Sequence, residues 1–287
     1  MTAVLKHELR NYFHSFTAYV FGAFLLAIVG IGSMLYNLQA AVSNFEYVLS
    51  FGCIVFVVIV PILTMRVIAE ERKQKTDQLL YSLPITTTQV VAGKYLALLV
   101  VYLIPLAVIS IYPLIFSQFG DVYLPTSYGS LFAIFMMGAA LIALGVFISC
   151  LTDNQGLAAG IGIAVILFNY YSVSLSEYVS STAFGSVVAL AVLILALGAI
   201  IRYLTRNELL AYGVSLVLAV AVCVVCFVDA TMFEGLLPAI MEQLSLFERF
   251  NAFVNGVFDM TAIVYYLSVI GFFLFLSVQS LEKRRYN

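Results

Sequence analysis

Long apolar stretches separated by short polar segments dominate the pattern of the chain. The hydrocarbon core of a bilayer is about 30 Å thick, so a helix that crosses it needs about 20 apolar residues. Eight stretches approach or exceed this length, and each predicts a transmembrane helix of an all-α integral membrane protein. They cover residues 17–37, 47–65, 95–117, 129–151, 156–175, 183–201, 209–228 and 260–280.

The two stretches within 183–228 form a pair, because only Arg202 to Glu208 separates them. An alternative is one long hairpin that dips into the membrane. In both cases the other six helices keep their orientation, since a pair of crossings returns the chain to the same side. We therefore expect about eight transmembrane helices, made of a six-span core and this extra pair.

The basic residues predict the orientation of these helices. With eight crossings, twelve of the thirteen Lys and Arg residues fall on the side of the N terminus, and only Arg249 falls on the other. Short cytoplasmic loops of membrane proteins are enriched in Lys and Arg. Both termini are therefore expected in the cytoplasm.

Residues 1–16 precede the first apolar stretch and show helical periodicity. Apolar side chains recur from Leu5 to Phe16 at helical spacing, while basic and polar ones from Lys6 to His14 occupy the other face. This pattern predicts an amphipathic helix that lies on the inner membrane surface. The transmembrane domain is then expected to occupy residues 17–287.

The composition excludes a soluble protein. The chain of 287 residues is 63% hydrophobic and 10% charged, and its mean hydropathy is +1.09. Soluble domains carry about 25% charged residues. So few charges cannot cover an apolar core of this size with a polar surface, and lipid must solvate most of the chain.

The longest cytoplasmic connection, residues 66–94, is the least uniform part of the sequence. Its charges end at Asp77, and a short apolar face of leucines follows before Pro84 ends the predicted helix. Thr86 and Gln89 have the spacing of a capping box, which predicts a new helix that continues into the membrane. A charged linker is the alternative, but a linker has no need of the leucines. We expect a docking surface for a soluble partner, formed by Glu70, Glu71, Arg72, Thr76, Asp77, Leu79, Leu80 and Leu83.

Three blocks of sequence resemble the membrane subunit of type-2 ABC exporters, particularly the gliding-motility (GldF-like) and NosY-like permeases. The first block is IAEERK at 68–73 with TDQLLYSLP at 76–84 and VAGK at 91–94; the second is GAALIALGVFISCLTDNQ at 138–155. The third is LFERFNAFVNGVFD at 246–259, followed by VYYLS and LEKRR before the C terminus. The extra helix pair at 183–228 departs from the six-span members of that family.

The resemblance implies a permease that moves or exports a substrate across the cytoplasmic (plasma) membrane of a bacterial-type cell. It implies a cytoplasmic ABC ATPase dimer, a second permease copy or homologue, and an accessory membrane subunit with a large outer domain. Thr76 to Leu83 would be the coupling helix that meets the ATPase, and residues 229–259 would contain an outer amphipathic helix. Helical spacing within 236–258 predicts one helix on the outer leaflet.

The sequence predicts no enzyme, cofactor or metal site in this chain. No phosphate-binding G-x-x-x-x-G-K-[ST] loop occurs, and no soluble segment is long enough for a nucleotide domain. ATP and Mg²⁺ are therefore expected on the partner ATPase. Cys223 and Cys226 are interpreted as lipid-buried residues and not as ligands, and His7 and His14 as solvated side chains.

Three other functions were weighed against the permease. Glu70 and Glu71 are similar to the glutamate pair of CAAX-type proteases, but Lys75 stands where that motif requires arginine. A secondary transporter would place ionisable residues at the centres of its helices, where the predicted spans have none. A membrane anchor or mechanotransmission subunit without a transported solute is the third. Nothing in the sequence identifies the transported substrate.

Overall fold

The structure is a computed structural model, and it describes residues 1–75, 85–179, 182–205, 212–213, 215–220, 222 and 233–285. These residues contain helices and connecting turns and no strand, in agreement with the predicted all-α fold. The helices are α1 Thr2–His14, α2 Phe16–Ser33 with a π-helical continuation Met34–Gln39, α3 Glu46–Thr64, α4 Ala69–Gln74, α5 Thr87–Ile109, α6 Tyr112–Phe116, α7 Leu124–Leu151, α8 Gln155–Ser176, α9 Ala183–Thr205, α10 Leu236–Leu244, α11 Glu248–Val254 and α12 Met260–Arg285.

Six helical segments are long and apolar enough to cross a membrane, counted over the described residues. They coincide with six of the eight predicted stretches. The stretch at 183–201 lies within α9, which is not among the six, and most of the stretch at 209–228 lies outside the described residues. The six segments are Phe16–Gln39, Glu46–Gln74, Thr87–Phe116, Leu124–Leu151, Gln155–Ser176 and Met260–Lys283.

The chain divides into two compact units, one of residues 1–167 with 249–285 and one of residues 168–248. In the first unit α7 is the central helix, because 78% of its most apolar window is buried, against 17% for α12. It packs against α3, α5 and α12. The first unit therefore resembles a bundle with one core helix and an outer layer that faces the surroundings.

Small residues let the helices around α7 approach closely. A Cβ atom at Gly138 would overlap the ring of Tyr102 on α5, and one at Gly145 would overlap Thr64 on α3. Tyr102 is fully buried, and its hydroxyl donates to the Ile134 carbonyl at 2.7 Å. Close approach at small residues is the usual basis of helix packing in membranes.

The predicted helix start at Thr86 is confirmed, since the Thr86 hydroxyl accepts a hydrogen bond from the Gln89 amide at 3.3 Å and caps α5. The predicted span at 95–117 is interrupted, however, because α5 ends at Ile109 and α6 begins at Tyr112. Pro113 explains the break: its ring would clash with the carbonyl of Ile109 in a continuous helix.

The predicted single helix at 236–258 is divided into α10 and α11. Ser245 lies at the break, and its hydroxyl accepts from the Glu248 amide at 3.1 Å, which caps the start of α11. Asn169 on α8 forms hydrogen bonds with the backbone on both sides of Ser245. Its amide group donates to the Leu244 carbonyl at 2.9 Å and accepts from the Leu246 amide at 3.0 Å.

Candidate functional site

Lys94 on α5 joins three elements of the first unit: α1, α4 and α5 itself. Its Nζ atom lies 2.7 Å from Glu8 Oε1 on α1 and 2.6 Å from Glu71 Oε1 on α4. It also donates to the Val67 carbonyl at 3.0 Å. Only 1% of the lysine side chain is exposed. The three donor hydrogens of the ammonium group therefore have three acceptors.

The packing of α1 against α5 brings Glu8 to this point. The buried face of α1 includes Glu8 and Tyr12, one helical turn apart. A Cβ atom at Gly93 would come within 3.0 Å of the Val4 side chain, so glycine permits the close approach of the two helices. Lys94 follows Gly93 directly and lies on the buried side of α5.

The structure corrects one detail of the amphipathic pattern of the N-terminal helix. Phe16 is 87% exposed and Phe13 is 37% exposed, whereas Glu8 is 7% exposed. The face that packs on the protein therefore carries a carboxylate, and the two phenylalanines point away from it. Burial raises the pKa of the Tyr12 phenol, and the Glu8 carboxylate raises it further, so Tyr12 stays protonated at neutral pH.

The charge balance of the Glu8–Lys94–Glu71 cluster makes it sensitive to substitution. A buried ion pair costs several kcal/mol of desolvation per ion, and the attraction between the charges offsets this cost only when the geometry is good. Distances of 2.7 and 2.6 Å are those of strong, charge-assisted hydrogen bonds. Loss of Lys94 would leave two carboxylates without their counterion.

Arg72 on α4 forms a second set of contacts between elements of the first unit. Its side chain is 2% exposed, donates to the Cys150 carbonyl and lies 3.7 Å from Asp153 Oδ1. Cys150 lies in the last turn of α7, where carbonyls have no partner within the helix. The Ser280 hydroxyl on α12 donates to the same carbonyl at 3.3 Å. Arg72 thus joins α4 to the end of α7, and Ser280 joins α12 to the same carbonyl.

Ser149 fixes the bend between α3 and α4. Its fully buried hydroxyl accepts from the backbone amides of Ile68 at 3.2 Å and Ala69 at 3.1 Å. These are amides at the start of α4, which need an acceptor from outside the helix. The same hydroxyl donates to the Met65 carbonyl at 3.3 Å.

Of the eight predicted site residues, the structure brings Glu71 and Arg72 into buried contacts. Glu70 lies at the edge, 3.8 Å from Arg66, with both side chains more than a third exposed. Such an exposed pair contributes about 0–1 kcal/mol. The remaining predicted residues lie outside the described residues, namely Thr76, Asp77, Leu79, Leu80 and Leu83.

Sequence reasoning missed Glu8, Lys94 and Ser149 as members of this cluster. The signal for Glu8 was its place on the apolar side of α1, three residues after Leu5 and four before Tyr12. The signal for Lys94 was a charge inside a helix that is otherwise apolar after Gln89. Ser149 gave none, because a serine in an apolar helix is common.

The contacts of the cluster hold α1, α4 and α5 together. Lys94 occupies the space between the carboxylates of Glu8 and Glu71. Within the described ranges no group of three His, Cys, Asp or Glu side chains could hold a metal ion.

The comparison with protein families decides what kind of protein carries this cluster. The model for ABC-2 family transporter proteins matches residues 26–176, just over half of the chain. The chain belongs to the ABC-2 transporter family. No curated protein and no solved structure matches it.

Members of the ABC-2 family are membrane permeases that are typically not catalytic, so membership implies a partner ATPase. The matched range runs from within α2 to the end of α8 and contains Glu71, Arg72, Lys94 and Ser149. The match supports no subgroup, and the resemblance to the gliding-motility and NosY-like permeases stays a prediction.

Proposed function

We propose that this chain is the permease subunit of an ABC-2 exporter, which moves a substrate across the cytoplasmic membrane. ATP is hydrolysed by a separate cytoplasmic ABC ATPase dimer, which also binds Mg²⁺. The observation that carries the proposal is the set of ion pairs formed by residues that flank segment 76–84, in a chain of the ABC-2 family. Glu71 pairs with Lys94, and Arg72 pairs with Asp153.

The geometry suggests how force on segment 76–84 would reach the membrane helices. Glu71 precedes the segment and Lys94 follows it, and their ion pair closes the loop at its base. Arg72 extends the connection to α7, the central helix, and Glu8 extends it to α1. A displacement of the segment by an ATPase would therefore move α1, α4, α5 and α7 together.

The finer assembly is part of the same proposal. Eight crossings with both termini in the cytoplasm agree with the distribution of the basic residues. Segment 76–84 then lies on the side where ATP is available. A second permease copy or homologue completes the pathway, and an accessory membrane subunit with an outer domain joins it on the far side.

Site-specific cross-linking tests the docking of the ATPase. A photoreactive phenylalanine analogue at Leu80 should cross-link the tagged full-length permease to a protein of ABC ATPase mass in native membranes. The matched control is the same analogue at Leu244, which is 55% exposed and lies on the proposed outer side. Cross-links of Leu80 to lipid only, or of both positions to the same protein, would contradict the proposal.

A further inference from the structure

Helix α1 lies next to the start of the first candidate membrane span. It ends at His14, where Ser15 takes an extended conformation. The candidate span Phe16–Gln39 begins two residues after His14. Two residues of chain reach about 7 Å at most, so the C-terminal end of α1 lies close to the boundary between membrane and water.

Four sides of α1 differ in chemistry, because residues three or four apart share one side of a helix. The side with Glu8 and Tyr12 is buried against the protein. An apolar side and an exposed polar side flank it, and they consist of Leu5, Leu9 and Phe13 and of His7, Asn11 and His14, respectively. The fourth side, opposite the buried one, carries Lys6 and Arg10, which are both exposed.

Lys6 and Arg10 are basic groups without a counterion. Within the described part of the chain, neither side chain takes part in an ion pair. The helices that pack against α1 are α2 and α5. α2 contains no charged residue, and the only charged residue of α5 is Lys94. Neither helix therefore supplies a carboxylate to the basic side of α1.

The carboxylates near α1 already have partners. Glu8 and Glu71 share the ammonium group of Lys94. Glu70 lies 3.8 Å from the side chain of Arg66. These pairs balance charges on the buried side of α1 and leave the basic side uncompensated.

The order of the four sides places Lys6 and Arg10 between apolar and polar surfaces. A helix on a membrane surface turns its apolar side to the acyl chains and its polar side to water. The basic side between them then lies at the level of the phosphate groups. A guanidinium group can donate to two phosphate oxygens, and an ammonium group attracts phosphate as a point charge. The two residues are separated by about 6 Å along the helix.

We propose that Lys6 and Arg10 bind the headgroups of anionic phospholipids. Phosphatidylglycerol supplies a phosphate without a cation of its own, whereas phosphatidylcholine carries a choline group that the two side chains repel. In the orientation proposed above, these lipids belong to the cytoplasmic leaflet, whose surface potential is negative. Headgroup binding fixes the depth of α1, the helix that supplies Glu8 to the Lys94 cluster.

Fluorescence quenching measures this preference directly, because the chain contains no tryptophan. Phe13→Trp places a single tryptophan on the apolar side of α1, at a position that is 37% exposed. The full-length variant is reconstituted in phosphatidylcholine vesicles. A rising fraction of the lipid is brominated phosphatidylglycerol in one series and brominated phosphatidylcholine in the other. If Phe13→Trp does not insert, Tyr19→Trp reports on the same region, since the two rings lie 6.3 Å apart.

Half-maximal quenching should need a mole fraction of phosphatidylglycerol about five- to twenty-five-fold lower than of phosphatidylcholine. Each Lys or Arg near an anionic surface contributes a factor of about five, or about 1 kcal/mol. Adding Lys6→Gln and Arg10→Gln together should abolish the preference. The matched control adds Lys73→Gln and Lys75→Gln, which removes two other exposed basic groups, and should keep the preference.

Three results would overturn the proposal. Equal mole fractions for the two lipids would show that α1 selects no headgroup. An equal loss of preference in the two double variants would show a general effect of net charge. Absence of quenching by either lipid would show that protein covers this side of α1 or that it lies away from the membrane. None of these results involves the ATPase, so they are separate from the cross-linking test of the proposed function.

Discussion

The ammonium group of Lys94 forms ion pairs with two carboxylates at once. Its partners Glu8 and Glu71 come from two different helices, α1 and α4. Buried groups of this kind stabilise a fold only as a complete set. Substitution of the lysine and of its partners should therefore give effects that are not additive.

Lys94→Met should be strongly destabilising. Methionine keeps much of the side-chain volume but leaves Glu8 and Glu71 without a counterion, and breaking a buried ion pair costs about 3–5 kcal/mol. Lys73→Met is the control, since Lys73 is exposed on α4. The measurement is thermal unfolding of the purified full-length permease in mild detergent.

Addition of Glu8→Gln should restore part of the stability that Lys94→Met removes, because one stranded carboxylate becomes neutral. The physical requirement is that both side chains belong to one buried cluster, as their separation of 2.7 Å indicates. Strictly additive losses in the double variant would show that Glu8 and Lys94 act independently.

At the scale of helices, six of the eight predicted spans match the structure, whereas several helix ends were not predicted. Any apolar run of sufficient length must be helical in lipid, since backbone amides and carbonyls find no water there. The position of an end depends on individual residues, such as Pro113 at the start of α6 and Ser245 before α11. The sequence predicted the Thr86 cap at the start of α5, but not the breaks at Pro113 and Ser245.

The contact between α5 and α7 gives a prediction at this scale. Gly138→Ala should destabilise the permease by about 1–3 kcal/mol, because its methyl group would collide with the buried Tyr102 ring. Gly129→Ala is the matched control on the same helix, since no atom lies within 4 Å of the added Cβ. Unfolding of both variants is measured under identical conditions. Equal stabilities would contradict the observed packing.

The start of α12 gives a second prediction, which depends on pH. The Asp259 carboxylate accepts from the Thr261 amide at 2.8 Å, and this backbone hydrogen bond lowers the pKa of Asp259. The cap is present above the ordinary pKa of aspartate and is lost as the pH falls through the lowered pKa. Asp259→Ala should cost about 1 kcal/mol at neutral pH.

That difference between Asp259→Ala and the wild type should shrink in acid. Asp259→Asn, whose amide oxygen accepts a hydrogen bond at every pH, should match the wild type at neutral pH and keep its advantage over Asp259→Ala in acid. The check is denaturation of the three proteins at neutral and acidic pH. A constant difference would mean that the carboxylate does not act as a helix cap.

At the scale of the whole molecule, the topology can be tested with single cysteines. Phe119→Cys should react with an impermeant reagent from outside intact cells, because Phe119 is 87% exposed. Substitutions at Arg206 and Asn287 should react only after permeabilisation. Ser127 and Ser245 are unsuitable outer positions, since both are fully buried. Labelling of Arg206 from outside would show that the pair at 183–228 does not cross the membrane twice.

The candidate site shows where sequence reasoning stops. The sequence predicted Glu71 and Arg72 as part of a docking surface, and it did not predict their contacts with Lys94 and Asp153. Glu8 and Lys94 required knowledge of which face of α1 packs on α5, and this depends on Gly93 and Val4 meeting in space. The identity of partners across a fold is a property of packing, whereas the presence of a membrane helix is a property of composition.

The most direct test of the permease function is a measurement on Leu80→Asp in the purified complex. If segment 76–84 docks in a groove of the ATPase, a carboxylate buried there without a partner costs several kcal/mol. The account predicts that the variant still inserts into the membrane, but loses the ATPase subunit or its transport-linked ATP hydrolysis in lipid. Normal retention of the ATPase together with normal coupled turnover would contradict it.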